Sequence, residues 1–146
     1  MTIHDSGTYV TISTYELYRM GERMIAQRRP RDAARALRVV VDREPGQGSA
    51  WELLGQAHFA AAHLERAEDA FRRVIELEPV NGWAHVALAR SLERQSRHDE
   101  AAGAYRVAAS LGQDVPTGSR VGLHDVSADA VDPGPIDVDL SEQLGG

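Results

Sequence analysis

The side chains able to do chemistry in this sequence are histidines, carboxylates and arginines; cysteine and lysine are both absent. Without thiols there are no disulfides, thiol nucleophiles or cysteine-ligated metals, and without lysine no Schiff base or phosphate-loop lysine. The six histidines, His4, His58, His63, His85, His98 and His124, contain no i, i+4 pair and no His-Glu-x-x-His run. That spacing is what would set two imidazoles on one helical face toward a metal. There is no Gly-x-Ser-x-Gly elbow, and Gly46-Gln47-Gly48 reads as a turn rather than a phosphate cradle. The acid pairs Glu68-Asp69 and Asp99-Glu100 fall early in predicted helices, where they suit the positive end of the helix dipole and read as solvated. No catalytic residue, cofactor site or metal site is predicted. The alternative is an enzyme with an unrecognised site, or a regulatory subunit of one.

Arg28, Arg29, Arg31, Arg35 and Arg38 form a basic cluster that could meet phosphate. The chain as a whole carries a net charge of -6, however, and no aromatic residues interleave the cluster for base stacking. The cluster therefore reads as a solvated helix face, and nucleic acid is not an expected partner.

These residues must be carried by about one domain's worth of chain, 146 residues. Apolar residues make up 42% and aromatics only 5%, a balance that favours alanine- and leucine-rich helical packing over a sandwich or barrel. No run approaches the roughly 18 apolar residues of a membrane span, and the first residues lack the pattern of a signal peptide. A cytoplasmic protein without membrane association is expected. Acidic residues crowd the C-terminal end, where Pro116, Pro133 and Pro135 lie among Gly, Ser and Asp without an apolar stripe. Residues 116–146 are predicted to be a disordered acidic tail, because too little apolar surface is available to offset chain entropy.

Between the ends runs a repeat of 34 residues. Trp51-x2-Leu54-Gly55-x2-His58 is followed by Ala67-x3-Phe71 and Pro79. One period earlier the same slots hold Leu17, Met20, Gly21, Met24, Ala33, Leu37 and Pro45; one period later they hold His85, Leu88, Ala89, Leu92, Ala101, Tyr105 and Gln113. Each slot has a physical reason. Two antiparallel helices approach closely only where side chains are small, which Gly21, Gly55 and Ala89 provide. Large residues fill the space beside that contact. Pro45 and Pro79 stop the second helix of a pair. Ser13-x-x-Glu16 and Ser49-x-x-Glu52 fit capping boxes, and Asn81 fits an N-cap. Helices are predicted at roughly 14–27, 31–44, 48–61, 65–78, 82–95 and 98–111.

This pattern resembles the tetratricopeptide repeat family, with units at 14–47, 48–81 and 82–115 after an N-terminal extension of residues 1–13. The central unit fits best, with His58 where the family usually has Tyr. The third departs most: His85 replaces the large aromatic and Gln113 the proline, while Trp83 lies two residues before the aromatic slot. The resemblance implies an all-α, right-handed α-solenoid of helix-turn-helix units. Its first helices would line a concave groove for a protein partner, so the expected role is a non-enzymatic adaptor or scaffold. Carried over slot by slot, the groove would present Tyr15, Tyr18, Arg19, Glu22 and Ile25 from the first unit. The second would add Glu52, Leu53, Gln56 and Phe59, and the third Trp83, Val86, Ala87, Arg90 and Glu93, with Arg94 at the edge. Leu53, Phe59 and Val86 would equally serve as packing between helices.

A carboxylate clamp of the kind that grips the acidic tails of heat-shock chaperones requires Lys, Asn, Asn, Lys and Arg at inward slots. Those slots read Tyr18, Glu22, Leu53, Trp83 and Ala87, so that activity is not expected. With no convincing seventh helix, some of Ala101, Ala104, Tyr105, Ala108 and Leu111 are expected to be partly uncovered, which would allow a homodimer through the third repeat. The tail's Val131, Ile136, Val138 and Leu140 would be able to cover that face or enter the groove near Arg90 and Arg94.

Overall fold

The computed structural model describes residues 2–5 and 8–116; the predicted acidic tail beyond Pro116 lies outside the described residues. Six helices follow one another: α1 Thr14–Ala26, α2 Pro30–Arg43, α3 Gly48–Ala60, α4 Leu64–Leu77, α5 Gly82–Arg94 and α6 His98–Ser110. They pair as α1/α2, α3/α4 and α5/α6, and successive pairs meet through α2 against α3 and α4 against α5. The result is an all-α, right-handed α-solenoid of three helix-turn-helix units. α1 also touches α3, which draws the first helices together on one side of the stack.

The close approach within each pair lies where the small residues predict it. A Cβ on Gly21 would fall 2.6 Å from Leu37 Cγ, and one on Gly55 would collide with the Phe71 ring. The third pair admits Ala89 at this slot, fully buried against Tyr105. Leu17, Leu37, Val40, Val41 and Leu54 centre one core; Phe71, Leu88, Leu92 and Tyr105 centre a second.

The turns repeat as faithfully as the helices. Arg28, Ala62 and Ser96 all sit at φ near +60°, spaced by the repeat length. Each ends a first helix in a left-handed residue, and the next N–H reaches back five residues: Arg29 to Met24, His63 to His58 and Arg97 to Leu92, at 2.8–3.0 Å. Without glycine at these positions the backbone stores a modest strain, about 1 kcal/mol each.

The caps divide. Ser13 accepts from the Glu16 N–H at 3.1 Å, and Asn81 accepts from the Ala84 N–H at 3.1 Å, as predicted. Ser49 does not cap: α3 starts at Gly48, which puts Ser49 inside the first turn. Glu52, freed of the predicted box, instead accepts from Asn81 Nδ2 at 2.8 Å and ties α3 to the start of α5.

Two features differ from expectation. The N-terminal extension contains an antiparallel strand pair, β1 Thr2–Asp5 and β2 Thr8–Thr11, with Ile3 opposite Val10 and His4 opposite Tyr9. Thr, Ile, Tyr and Val favour extended backbone, a propensity too short-range to register beside the helical period. Arg43 pins the following residues by donating to the Ile12 carbonyl at 3.0 Å. At the other end, the expected exposure narrows to Leu111, which is partly exposed; Ala101, Ala104, Tyr105 and Ala108 are buried, because they form the face of α6 that packs on α5. The outward side of α6 is small or polar apart from Val107, 42% exposed, and Val115 folds back onto the second core. The apolar face on which a homodimer was expected is thus largely covered by the chain itself.

Candidate functional site

Residues 52, 56 and 59 of α3 and 83, 86, 87, 90 and 94 of α5 recur at three- and four-residue spacing, so each set shares a helix face. Between the two faces lies a cleft of about 240 Å³ lined by Gln56, Phe59, Phe71, Trp83, Val86, Ala87 and Arg90. Trp83, 39% exposed, stands edge-on to Phe71 with ring centres 5.7 Å apart. The Arg94 guanidinium lies over the Phe59 ring at 5.0 Å, an attraction of cation for π-face. Arg90 is exposed at the rim and makes no ion pair among the described residues. An aromatic floor with guanidiniums at its edge can bury one apolar side chain and receive an acidic neighbour.

Of the groove residues expected from sequence, this cleft brings together Gln56, Phe59, Trp83, Val86 and Arg90, with Arg94 beside them. Tyr15 stands apart on α1, 71% exposed. Tyr18 and Leu53 are half-buried against the first core, and Arg19 and Glu22 pair with each other. Glu52 is engaged by Asn81. Glu93 accepts from the Tyr105 hydroxyl at 2.8 Å, and burial together with that carboxylate pushes the phenol up to about 12. Phe71 was assigned only to the contact within its pair; it is buried there, yet its ring also borders the cleft where Trp83 packs edge-on against it.

Trp83 does not replace the missing aromatic at position 85. Trp51 Nε1 donates to the Pro45 carbonyl at 2.8 Å, and one period later His85 Nε2 lies 3.0 Å from the Pro79 carbonyl. The imidazole preserves the polar link between pairs while giving up the ring's bulk.

Glu68 reverses its expected role. It is 8% exposed, not solvated, and accepts from Arg72 at 2.9 and 3.0 Å, Gln95 at 3.1 Å and Arg97 at 2.6 Å. Arg97 also grips Glu100 at 2.8 Å. Burial pushes the Glu68 carboxyl up, but the hydrogen bonds from Gln95, Arg72 and Arg97 outweigh it and hold the group below its ordinary range. The signal was present in the register: the corresponding slots are Ala34 and Ala102.

His58 is buried at 9% exposure, consistent with its place in the packing slot of the first helix. Burial, then the charges of His63, Arg66 and Arg38, bring its pKa down to about 4. Among the described residues no cluster of three or more His, Cys, Asp or Glu could hold a metal, and no helix is long and apolar enough to cross a membrane.

A family model described as tetratricopeptide repeat matches residues 18–79 and, overlapping, 58–116. Among solved structures, that titled crystal structure of MamA superposes with a TM-score of 0.66 at 27% identity, over 68% of this chain and 58% of that one. MamA 41-end from Desulfovibrio magneticus RS-1 gives 0.65 at 26% identity, over 67% and 55%. Protein O-mannosyl-transferase Tmtc1 of Drosophila melanogaster is 33% identical over 86 residues, 58% of this chain and 10% of that protein. The chain thus spans a tenth of this curated relative and little more than half of the MamA chains.

Proposed function

The chain belongs to the tetratricopeptide repeat family, whose fold supports protein interaction in general, and we propose that this chain is a non-enzymatic adaptor that seats a peptide segment or helix of a partner protein against α3 and α5. The observation that carries the reading is the cleft in which Trp83, Phe59 and Phe71 form an apolar floor beside Arg90 and Arg94. Its chemistry fits a segment with one large apolar side chain next to an aspartate or glutamate. Preformed helices lower the ordering cost of such binding. Tyr15, Tyr18, Arg19, Glu22, Glu52 and Leu53 extend the same side of the stack toward the N-terminus and would contact flanking residues of a longer segment.

Trp83→Ala combined with Arg90→Ala removes the floor's edge and one cation while leaving the intra-pair contacts in place. On an array of peptides that vary one apolar anchor and its acidic neighbour, the wild-type chain selects both features. The double variant loses that selection with unchanged helical circular dichroism. Equal binding by the two proteins would place partner recognition elsewhere on the solenoid.

A further inference from the structure

On the second-helix side of the stack, α2 presents Arg31, Ala34, Arg35 and Arg38 along one face, a spacing of three to four residues. With His58 at the end of α3, His63 in the turn and Arg66 on α4, they line a cleft of about 450 Å³ in which no acidic side chain takes part. The guanidiniums are exposed at its rim. Arg35 and Arg38 lean on Asp32 at 3.8 Å and Asp42 at 3.3 Å, exposed pairs worth little. Arg31 and Arg66 make no ion pair among the described residues. At the floor, the Nδ1 atoms of His58 and His63 are buried and have no hydrogen-bond partner, with the two rings 5.8 Å apart. An unpartnered polar atom in a buried ring is costly unless something outside the chain satisfies it.

The repeat itself shows what is missing. One period on, Arg38 becomes Arg72, His63 becomes Arg97 and Ala34 becomes Glu68. There the cations converge on the Glu68 carboxylate; here they surround an alanine methyl and open space. We propose that this cleft is an oxyanion site that takes a phosphoryl group, as inorganic phosphate or a phosphate monoester, in the place the Glu68 carboxylate fills one repeat later. Donors approach from α2, the α3–α4 turn and α4, so a tetrahedral acceptor with several oxygens fits better than a planar carboxylate. Guanidinium is the cation best matched to that geometry. The cleft has room for an ester substituent as well. The site is independent of the α3/α5 cleft, and either assignment stands without the other.

The test uses the full chain and sodium sulfate, which stays dianionic where phosphate titrates, with chloride at matched ionic strength as reference. Sulfate should shift the His58 and His63 imidazole resonances saturably and raise the melting temperature beyond chloride. It should also draw His58 upward from about 4, since burial and then the charges of His63, Arg66 and Arg38 hold it down and an anion in the cleft, which Arg31 and Arg35 also line, offsets those charges. Ala34→Glu installs the carboxylate of the next repeat and should weaken sulfate binding by about tenfold or more while keeping the fold; Arg38→Ala with Arg66→Ala should do the same by removing donors. Inorganic phosphate and a phosphoserine peptide are compared in parallel. Tighter binding of the peptide assigns the group to a phosphorylated partner, and tighter binding of phosphate assigns it to a small anion. Sulfate and chloride effects that match, or sulfate shifts that survive in Ala34→Glu, would overturn the site.

Discussion

The two interfaces between successive helix pairs share one register yet are closed at opposite ends. Where α2 meets α3, the end near the proline turn is filled: the Trp51 ring spans to the Pro45 carbonyl and carries the Arg73 guanidinium at 5.3 Å. The other end, around Ala34, His58 and His63, is the open basic cleft. Where α4 meets α5 the order reverses. Glu68 fills the Ala34 position with a carboxylate bound by Arg72, Gln95 and Arg97. The turn end, with His85 for Trp51 and Val107 for Arg73, opens into a cleft of about 490 Å³. A repeat array requires the shared small and large slots at every interface, but each interface is sealed by whichever residues occupy the remaining positions. Charge drawn into the seal gives a network; charge left without a counter-group gives a binding surface.

The largest effect should come from removing the network that distinguishes the second interface. Glu68→Ala makes it resemble the first and leaves two arginines facing each other across a buried gap. Loss of one partner of a fully buried pair costs about 3–5 kcal/mol; with Arg72 and Arg97 partly solvated, about 2 kcal/mol is expected. Chemical denaturation measures it. The same residue should govern acid sensitivity. Its carboxyl titrates below the ordinary 4.5 in the folded chain, so its stabilisation is present above that value and is lost as pH falls through the folded pKa. The gap in melting temperature between wild type and Glu68→Gln should therefore narrow as pH falls through and below the ordinary carboxylate range. A gap that stays constant over this range would mean that Glu68 acts through packing alone.

Much of the fold was legible because a 34-residue period places small, large and breaker residues where pairing of helices requires them; every helix starts and ends within one residue of its predicted bounds. That Trp83 and Arg90 share one helix face beside the same cleft followed from the same register. What escaped were contacts set by single departures from it. Glu68 reads as an ordinary early-helix acid until Arg97, 29 residues on, is brought to it. Ser49 and Glu52 have the spacing of a capping box, but Asn81, which caps α5 at the far end of the same unit, competes for the carboxylate. Burial of the third unit's apolar face depends on which side of α6 turns toward α5, a choice that two neighbouring stripes of alanine leave ambiguous. The strand pair at the start rests on local propensity with no repeat to amplify it.

A smaller effect is expected from giving the first interface the turn end of the second. Trp51→His keeps a ring nitrogen able to reach the Pro45 carbonyl, as His85 reaches Pro79, but loses the indole area and the stacking of Arg73. The expected cost is about 1–2 kcal/mol, read as a lower urea midpoint with an unchanged slope. Trp51→Ala, which also loses the hydrogen bond, should cost more. If the two variants are equal, the link to the proline carbonyl contributes nothing and the comparison with His85 loses its basis.

The reverse exchange should yield the smallest change and the only gain. His85→Trp with Val107→Arg rebuilds in the second interface what Trp51 and Arg73 form in the first. The space exists: His85 and Val107 both line the open cleft, together with Leu88 and Leu92, already buried, and the partly buried Ile75, whose remaining apolar surface an indole would cover. The indole N–H has the Pro79 carbonyl within reach along the path His85 already uses. Against this stands the entropy of fixing a long arginine side chain, and the exposed position of 107 keeps the cation–π contribution small. The balance is a stabilisation of about 0.5–1 kcal/mol for the double variant and less for either single change. Coupling is the informative quantity. In a double-mutant cycle the two substitutions should together stabilise more than the sum of their separate effects, because the guanidinium gains only when the ring is beneath it. Additive effects would show that filling the cleft, and not the stacked pair, is what seals this end of an interface.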